Sequence, residues 1–186
     1  MLIRLMLLSF LALNPDATFA QRIARHTIYA EAKGPGGNYS FNYERIWPLR
    51  TDRIVLLGAS VGYSYLDYDR VSIEARGHIF PLRLNLCAGW QYYYMEFGGD
   101  FVFFRYKDKD NSSFDPVGGN GFFLHAGLRF QSKHSGLFAR AFIMPVKVSN
   151  GNRDFLDFYG RHKPEILAYQ GKSYLWWYGV DLGWSF

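Results

Sequence analysis

Apolar and polar residues alternate with period two along much of this chain, most clearly in its last segment. Tyr174, Trp176, Tyr178, Val180, Leu182, Trp184 and Phe186 are all apolar or aromatic, and Leu175, Trp177, Gly179, Asp181, Gly183 and Ser185 fall between them. A β-strand turns successive side chains to opposite faces, so one face here is wholly apolar and the other carries a carboxylate, a hydroxyl and two glycines. The same rhythm predicts strands over Asn120–Gln131, Tyr93–Phe103 and Val55–Tyr65. Shorter stretches follow it at Ile28–Ala32, Tyr39–Tyr43, His78–Leu86 and Leu137–Val148. Pro81 and Pro145 lie inside two of these, where a missing N–H implies a bulge or weakens the strand.

The links between the eight segments sort into two sets. Trp47–Asp52, Cys87–Gln91 and Ser132–Gly136 are short, whereas Gly34–Gly37, Leu66–Arg76, Lys107–Gly118 and Ser149–Lys172 are mostly longer and polar. Short turns at one end and longer loops at the other are the pattern of barrels in bacterial outer membranes. The expectation is therefore an all-β protein, an eight-stranded antiparallel up-and-down transmembrane β-barrel.

Composition fits that expectation. Aromatic residues make up 19% of the chain, glycines number 19, and mean hydropathy lies slightly below zero. Strands that dilute each apolar residue with a polar one give this balance, whereas a helical membrane protein needs several apolar runs of about 20 residues. The net charge of +5 is scattered along the chain. Without a basic stripe or block it points away from nucleic acid, and contact with anionic lipid headgroups accounts for it. Cys87 is the one cysteine, so no intramolecular disulfide or cysteine metal framework is expected, and a buried thiol is the plain reading.

The first twenty residues contain the one strongly apolar run. Arg4 precedes Leu5–Leu13, Asn14-Pro15 follows, and Thr18 and Ala20 put small residues before Gln21. This is the layout of a secretory signal peptide, and nine apolar residues are too few to cross a hydrocarbon core of about 30 Å. The domain organisation expected is residues 1–20 as signal peptide and 21–186 as a barrel domain in the outer membrane.

Three segments carry a resemblance. The end of the chain, YGVDLGWSF, resembles the C-terminal signal of outer-membrane proteins, with Tyr178, Val180, Leu182, Trp184 and Phe186 at alternate positions and Gly179 in the strand. YAEAKGPGGNYSFNYERIW (29–47) and YYYMEFGGDF (92–101) resemble small eight-stranded outer-membrane barrels of the OmpA/OmpX-like, Bacteroidetes type. The resemblance implies that the barrel-assembly machinery reads the last strand. It also implies that outer-membrane lipid and lipopolysaccharide surround the barrel, and that the protein acts as a monomer.

If the alternation holds, Glu31, Glu44, Arg83, Glu96, Asp100, His125, Arg129, Arg140 and Asp181 face inward. An eight-stranded barrel is only wide enough for side chains to fill it. Unpaired buried charges are very costly, so these residues are expected to form a paired polar plug. A proton or ion pathway is the functional alternative.

Nucleophilic catalysis requires a serine within reach of a histidine that a third group orients. His134-Ser135 fall in a short turn, His78 faces outward near Ser72, and His125 faces inward without a serine. His26 and His162 have no fixed register. The reading is a non-enzymatic membrane barrel without cofactor, contributing envelope integrity, adhesion or ligand binding through its loops. A lipid A-modifying enzyme and a secreted lipocalin-like binding barrel are the alternatives. Asp108, Lys109, Asp110, Asn111 and Asp115 lack the glycine and glutamate of an EF-hand loop. The link Ser149–Lys172 mixes aromatics with basic groups suited to phosphate or to a continued strand. Trp47, Trp90, Trp176, Trp177 and Trp184 are candidates for interfacial aromatic belts.

Overall fold

A computed structural model describes residues 24–49, 55–70, 73–90, 92–108, 117–132, 135–147 and 174–186. They form eight strands in a closed barrel in which each strand pairs antiparallel with its neighbours in sequence and β1 pairs with β8. The strands are β1 (His26–Ala32), β2 (Tyr39–Pro48), β3 (Val55–Arg70), β4 (Ile73–Trp90), β5 (Tyr93–Asp108), β6 (Val117–Gln131), β7 (Gly136–Lys147) and β8 (Tyr174–Ser185). Closure joins Thr27 to Ser185 and Ala32 to Val180. The proposed signal peptide, the acidic stretch beyond Asp108 (which ends β5) and the link Ser149–Lys172 lie outside the described residues, so nothing structural bears on those expectations.

Alternation governs the whole cylinder. Outward positions of β4 run Phe80, Leu82, Leu84, Leu86, Ala88 and Trp90, and those of β5 run Tyr93, Met95, Phe97, Phe101 and Phe103, all exposed. Inward positions on the same strands carry Arg83, Asn85, Glu96 and Asp100, all buried. A soluble lipocalin-like barrel would have the opposite polarity. An apolar outer wall around a charged centre is the polarity suited to hydrocarbon surroundings.

The strands outrun the expected links. The β3–β4 ladder continues to Arg70↔Ile73, so most of Leu66–Arg76 is paired backbone and not loop. A ladder above a membrane needs no apolar face, which is why the alternation gave no sign of it. The turn expected over Cys87–Gln91 contracts to the pair between Trp90 and Tyr93, and Cys87 lies within β4. Pro81 produces no bulge: Val61↔Leu82 and Ser64↔Ile79 share one register, and the ladder is interrupted only around the proline. Pro145 sits on the side of β7 where pairing with β6 stops at Ala126↔Ile143, although pairing with β8 continues through it.

Candidate functional site

The barrel interior is the densest gathering of chemical groups among the described residues. It is layered. Near the short-turn end, Ile46, Leu56, Cys87 and Tyr94 form an apolar floor. Towards the other end, Ile79, Val102, Phe104, Phe123, Met144 and Trp177 are also buried. The charged residues lie between.

Arg83 is the hub of one group. Its Nη2 donates to Glu31 Oε2 at 2.9 Å, its Nε to Asp100 Oδ1 at 2.5 Å, and its Nη1 to Asp181 Oδ2 at 3.4 Å. Arg129 is the hub of the second, donating through Nη2 to Glu44 Oε2 at 2.7 Å and through Nη1 to Glu96 Oε2 at 3.3 Å. Its Nε reaches Gln131 Oε1 at 2.9 Å, and Gln131 in turn donates to the Ala24 carbonyl at 2.9 Å. Two residues join the groups. Arg140 contacts Asp181 and donates to Glu96 Oε1 at 2.8 Å. The His125 ring lies 2.7 Å from Asp100 Oδ2 and 3.2 Å from Glu96 Oε1.

All nine residues that alternation placed inward are therefore buried in one connected network. Five carboxylates face three guanidinium groups and one imidazole, so every cation is shared by at least two anions. Aromatic faces complete the guanidinium environment: Arg83 lies 4.5 Å from the Phe142 ring centroid, Arg129 4.7 Å from Phe138, and Arg140 4.9 Å from Tyr29. Such contacts gain strength when desolvated.

Room for these bulky groups comes from glycines on facing strands. A Cβ on Gly98 would stand 2.6 Å from His125 Cε1, and one on Gly127 would stand 2.7 Å from Phe142 Cβ. The β1–β2 turn adds a cap at the long-link end. Gly34, Pro35, Gly36 and Gly37 are buried, and Gly36 N–H donates to Glu31 Oε1 at 3.1 Å. Lys33 holds φ 59°, the left-handed conformation that lets the chain fold back there,.

Other polar groups of the interior escaped a reading that looked for charge. Tyr29, Ser40, Asn42 and Asn85 sit at inward positions and hydrogen-bond to Ser60, Glu31, Ser40 and Glu44 respectively. Parity along each strand was the signal that could have found them. The aromatic belt needs one correction: Trp177 is buried, because its odd position on β8 turns it inward, while Trp47, Trp90, Trp176 and Trp184 are exposed on the outside.

The histidines take separate roles. His26 Nδ1 is 2.6 Å from Tyr43 Oη and its ring stacks on Phe186. His78 is bound to Tyr63, and His125 to two carboxylates. Ser135 Oγ accepts from Trp184 Nε1 at 3.0 Å. His134, His162 and Ser72 lie outside the described residues. At the C-terminal strand, Tyr178, Val180, Leu182, Trp184 and Phe186 are exposed on one face and Gly179 points inward against Phe142.

No family description matches the chain, and no curated protein matches it significantly. Among solved structures it is similar to the N-terminal β-barrel domain of Pseudomonas aeruginosa OprF, at 14% identity and TM-score 0.47 over 88% of this chain and 98% of that one. It is also similar to Ail, the attachment invasion locus protein of Yersinia pestis, at 10% identity and TM-score 0.46 over the same shares. By its own geometry, the chain is a closed eight-stranded antiparallel barrel with an apolar outside and an ion-paired inside.

Proposed function

We propose that this protein is an integral outer-membrane barrel, exported through residues 1–20, that works as a non-enzymatic structural or binding element of the envelope. The observation that carries this reading is the inverted polarity of β4 and β5, apolar outward from Phe80 to Trp90 and from Tyr93 to Phe103, with Arg83, Asn85, Glu96 and Asp100 buried inward behind that band. The filled interior supports a wall without a solute path, because the charged layer lies between two apolar layers. A non-enzymatic role is supported by the partners of the described histidines: tyrosine hydroxyls for His26 and His78, and carboxylates for His125.

In this reading the short-turn end faces the periplasm and the other end faces outward, where the loops meet ligands or surfaces. The alternate residues from Tyr178 to Phe186 serve as the strand the assembly machinery reads, and lipid and lipopolysaccharide cover the apolar wall. The protein acts as a monomer. Detergent extraction of membranes followed by gel electrophoresis tests the proposal. The expected result is membrane-fraction protein whose unboiled form runs faster than the boiled form. Protein in the soluble fraction, with no unboiled band of altered mobility, would sink it.

A further inference from the structure

The outer wall changes character abruptly at one place. Ten residues separate Trp90 from Phe80 on β4 and Tyr93 from Phe103 on β5, and their outward positions are apolar throughout. At about 3.3 Å per residue and a tilt of roughly 40°, that stretch rises about 25 Å, the height of the apolar band of an outer-membrane barrel. The next outward positions are His78 on β4 and Arg105 and Lys107 on β5, all exposed.

Register brings these groups together. His78 stands opposite Arg105 on β5 and opposite Tyr65 on β3. Tyr63 Oη lies 2.9 Å from His78 Nδ1, and the Tyr65 ring packs 5.4 Å from the imidazole, so the ring is held in place. The hydrogen bond with Tyr63 occupies Nδ1, which leaves Nε2 as the second polar atom of the exposed ring. On the other side of Arg105 the register partner is Gly118, and Asn120 stands opposite Phe103 just below it. Both are exposed. Gly118 puts no side chain opposite Arg105, and Asn120 is the next outward position along the same face of β6. Arg76, also exposed, stands opposite Lys107 on β5 and opposite Asp67 on β3.

We propose that His78, Arg105, Lys107 and Asn120 form a cradle on the outer wall for the phosphate monoester of a membrane lipid headgroup, its acyl chains lying along the apolar face below. Two fixed positive charges match a phosphate dianion better than the single charge of a phosphodiester. Arginine supplies a planar fork for phosphate oxygens, with lysine as a point charge beside it. The depth of the residues matches the boundary where headgroup phosphates lie. This inference rests on the membrane-barrel reading above, because only an embedded wall brings lipid phosphate to that height.

Native mass spectrometry of the full-length barrel from micelles tests it, with three probes: diphosphoryl lipid A, the same glycolipid dephosphorylated, and phosphatidylglycerol. The unsubstituted protein is expected to retain the diphosphoryl form in preference to the other two. The double substitution Arg105→Gln with Lys107→Gln should reduce that retention roughly tenfold or more. Arg45→Gln, at the opposite rim, should leave it unchanged. Equal retention by the double variant, or equal retention of the dephosphorylated glycolipid or phosphatidylglycerol by the unsubstituted protein, would overturn the cradle. The heat-dependent gel shift, measured on each variant, reports the barrel separately, and the single substitutions provide intermediate points should the double variant fail to fold.

Discussion

The two faces of β4 and β5 are built from the same stretch of chain yet answer to different solvents. Outward, Leu82, Leu84 and Leu86 are exposed, and in the membrane proposed for them they meet hydrocarbon, where each polar atom would be unsatisfied. Inward, Arg83, Asn85 and Cys87 alternate with them and meet a crowded polar core. The outside needs only low polarity, and many apolar side chains would serve. The inside needs particular partners at particular distances, because its ions have no water to fall back on. Tolerance should therefore differ sharply between adjacent positions.

Removing one ion is the strongest way to probe that contrast. Arg129→Met takes away the cation that Glu44 and Glu96 share, and breaking a buried pair from one side costs about 3–5 kcal/mol. Urea unfolding in lipid vesicles should show that loss, and pairing the change with Glu44→Gln should recover part of it. Next comes the opposite error, a charge placed outside. Leu84→Arg lies near the middle of the apolar band and should cost about 2–4 kcal/mol in the same assay, whereas Leu84→Phe should be nearly silent. The smallest expected effect is a matter of shape. Gly98→Ala pushes a methyl against the His125 ring and the β4 backbone, so a loss of about 1–3 kcal/mol is expected, visible as a lower unfolding midpoint. If Arg129→Met proved milder than Leu84→Arg, packing rather than ion pairing would be the main constraint on the interior.

Alternation was enough to place Glu44, Arg129 and the other seven charged residues inside, since period two decides the face. It could not pair them. Glu44 and Arg129 are 85 positions apart, and their meeting depends on barrel closure and strand tilt, which no local pattern encodes. Where strands end was also hidden. Asp67, Tyr68, Asp69 and Arg70 read as loop, yet their backbones pair on, because a ladder in water is held by its hydrogen bonds with no apolar face to betray it. Trp177 was misplaced for a different reason. Grouping tryptophans by type overlooked the parity that turns it inward. A proline inside a strand implies a bulge or a weakened strand, and the weakening is what occurs: Pro81 interrupts the β3–β4 ladder without shifting its register, and chemistry alone does not distinguish that outcome from a bulge.

Pro145 leaves its mark on the mechanics of the wall. Above Ala126↔Ile143, β6 remains bonded to β5 and β7 to β8, but β6 and β7 no longer pair. A cylinder is as stiff as its least bonded seam, and local opening follows missing hydrogen bonds. Bending and breathing are expected to concentrate along this line and along the equally short β1–β8 seam, whose pairing ends at Ala32↔Val180 while β8 runs on to Tyr174.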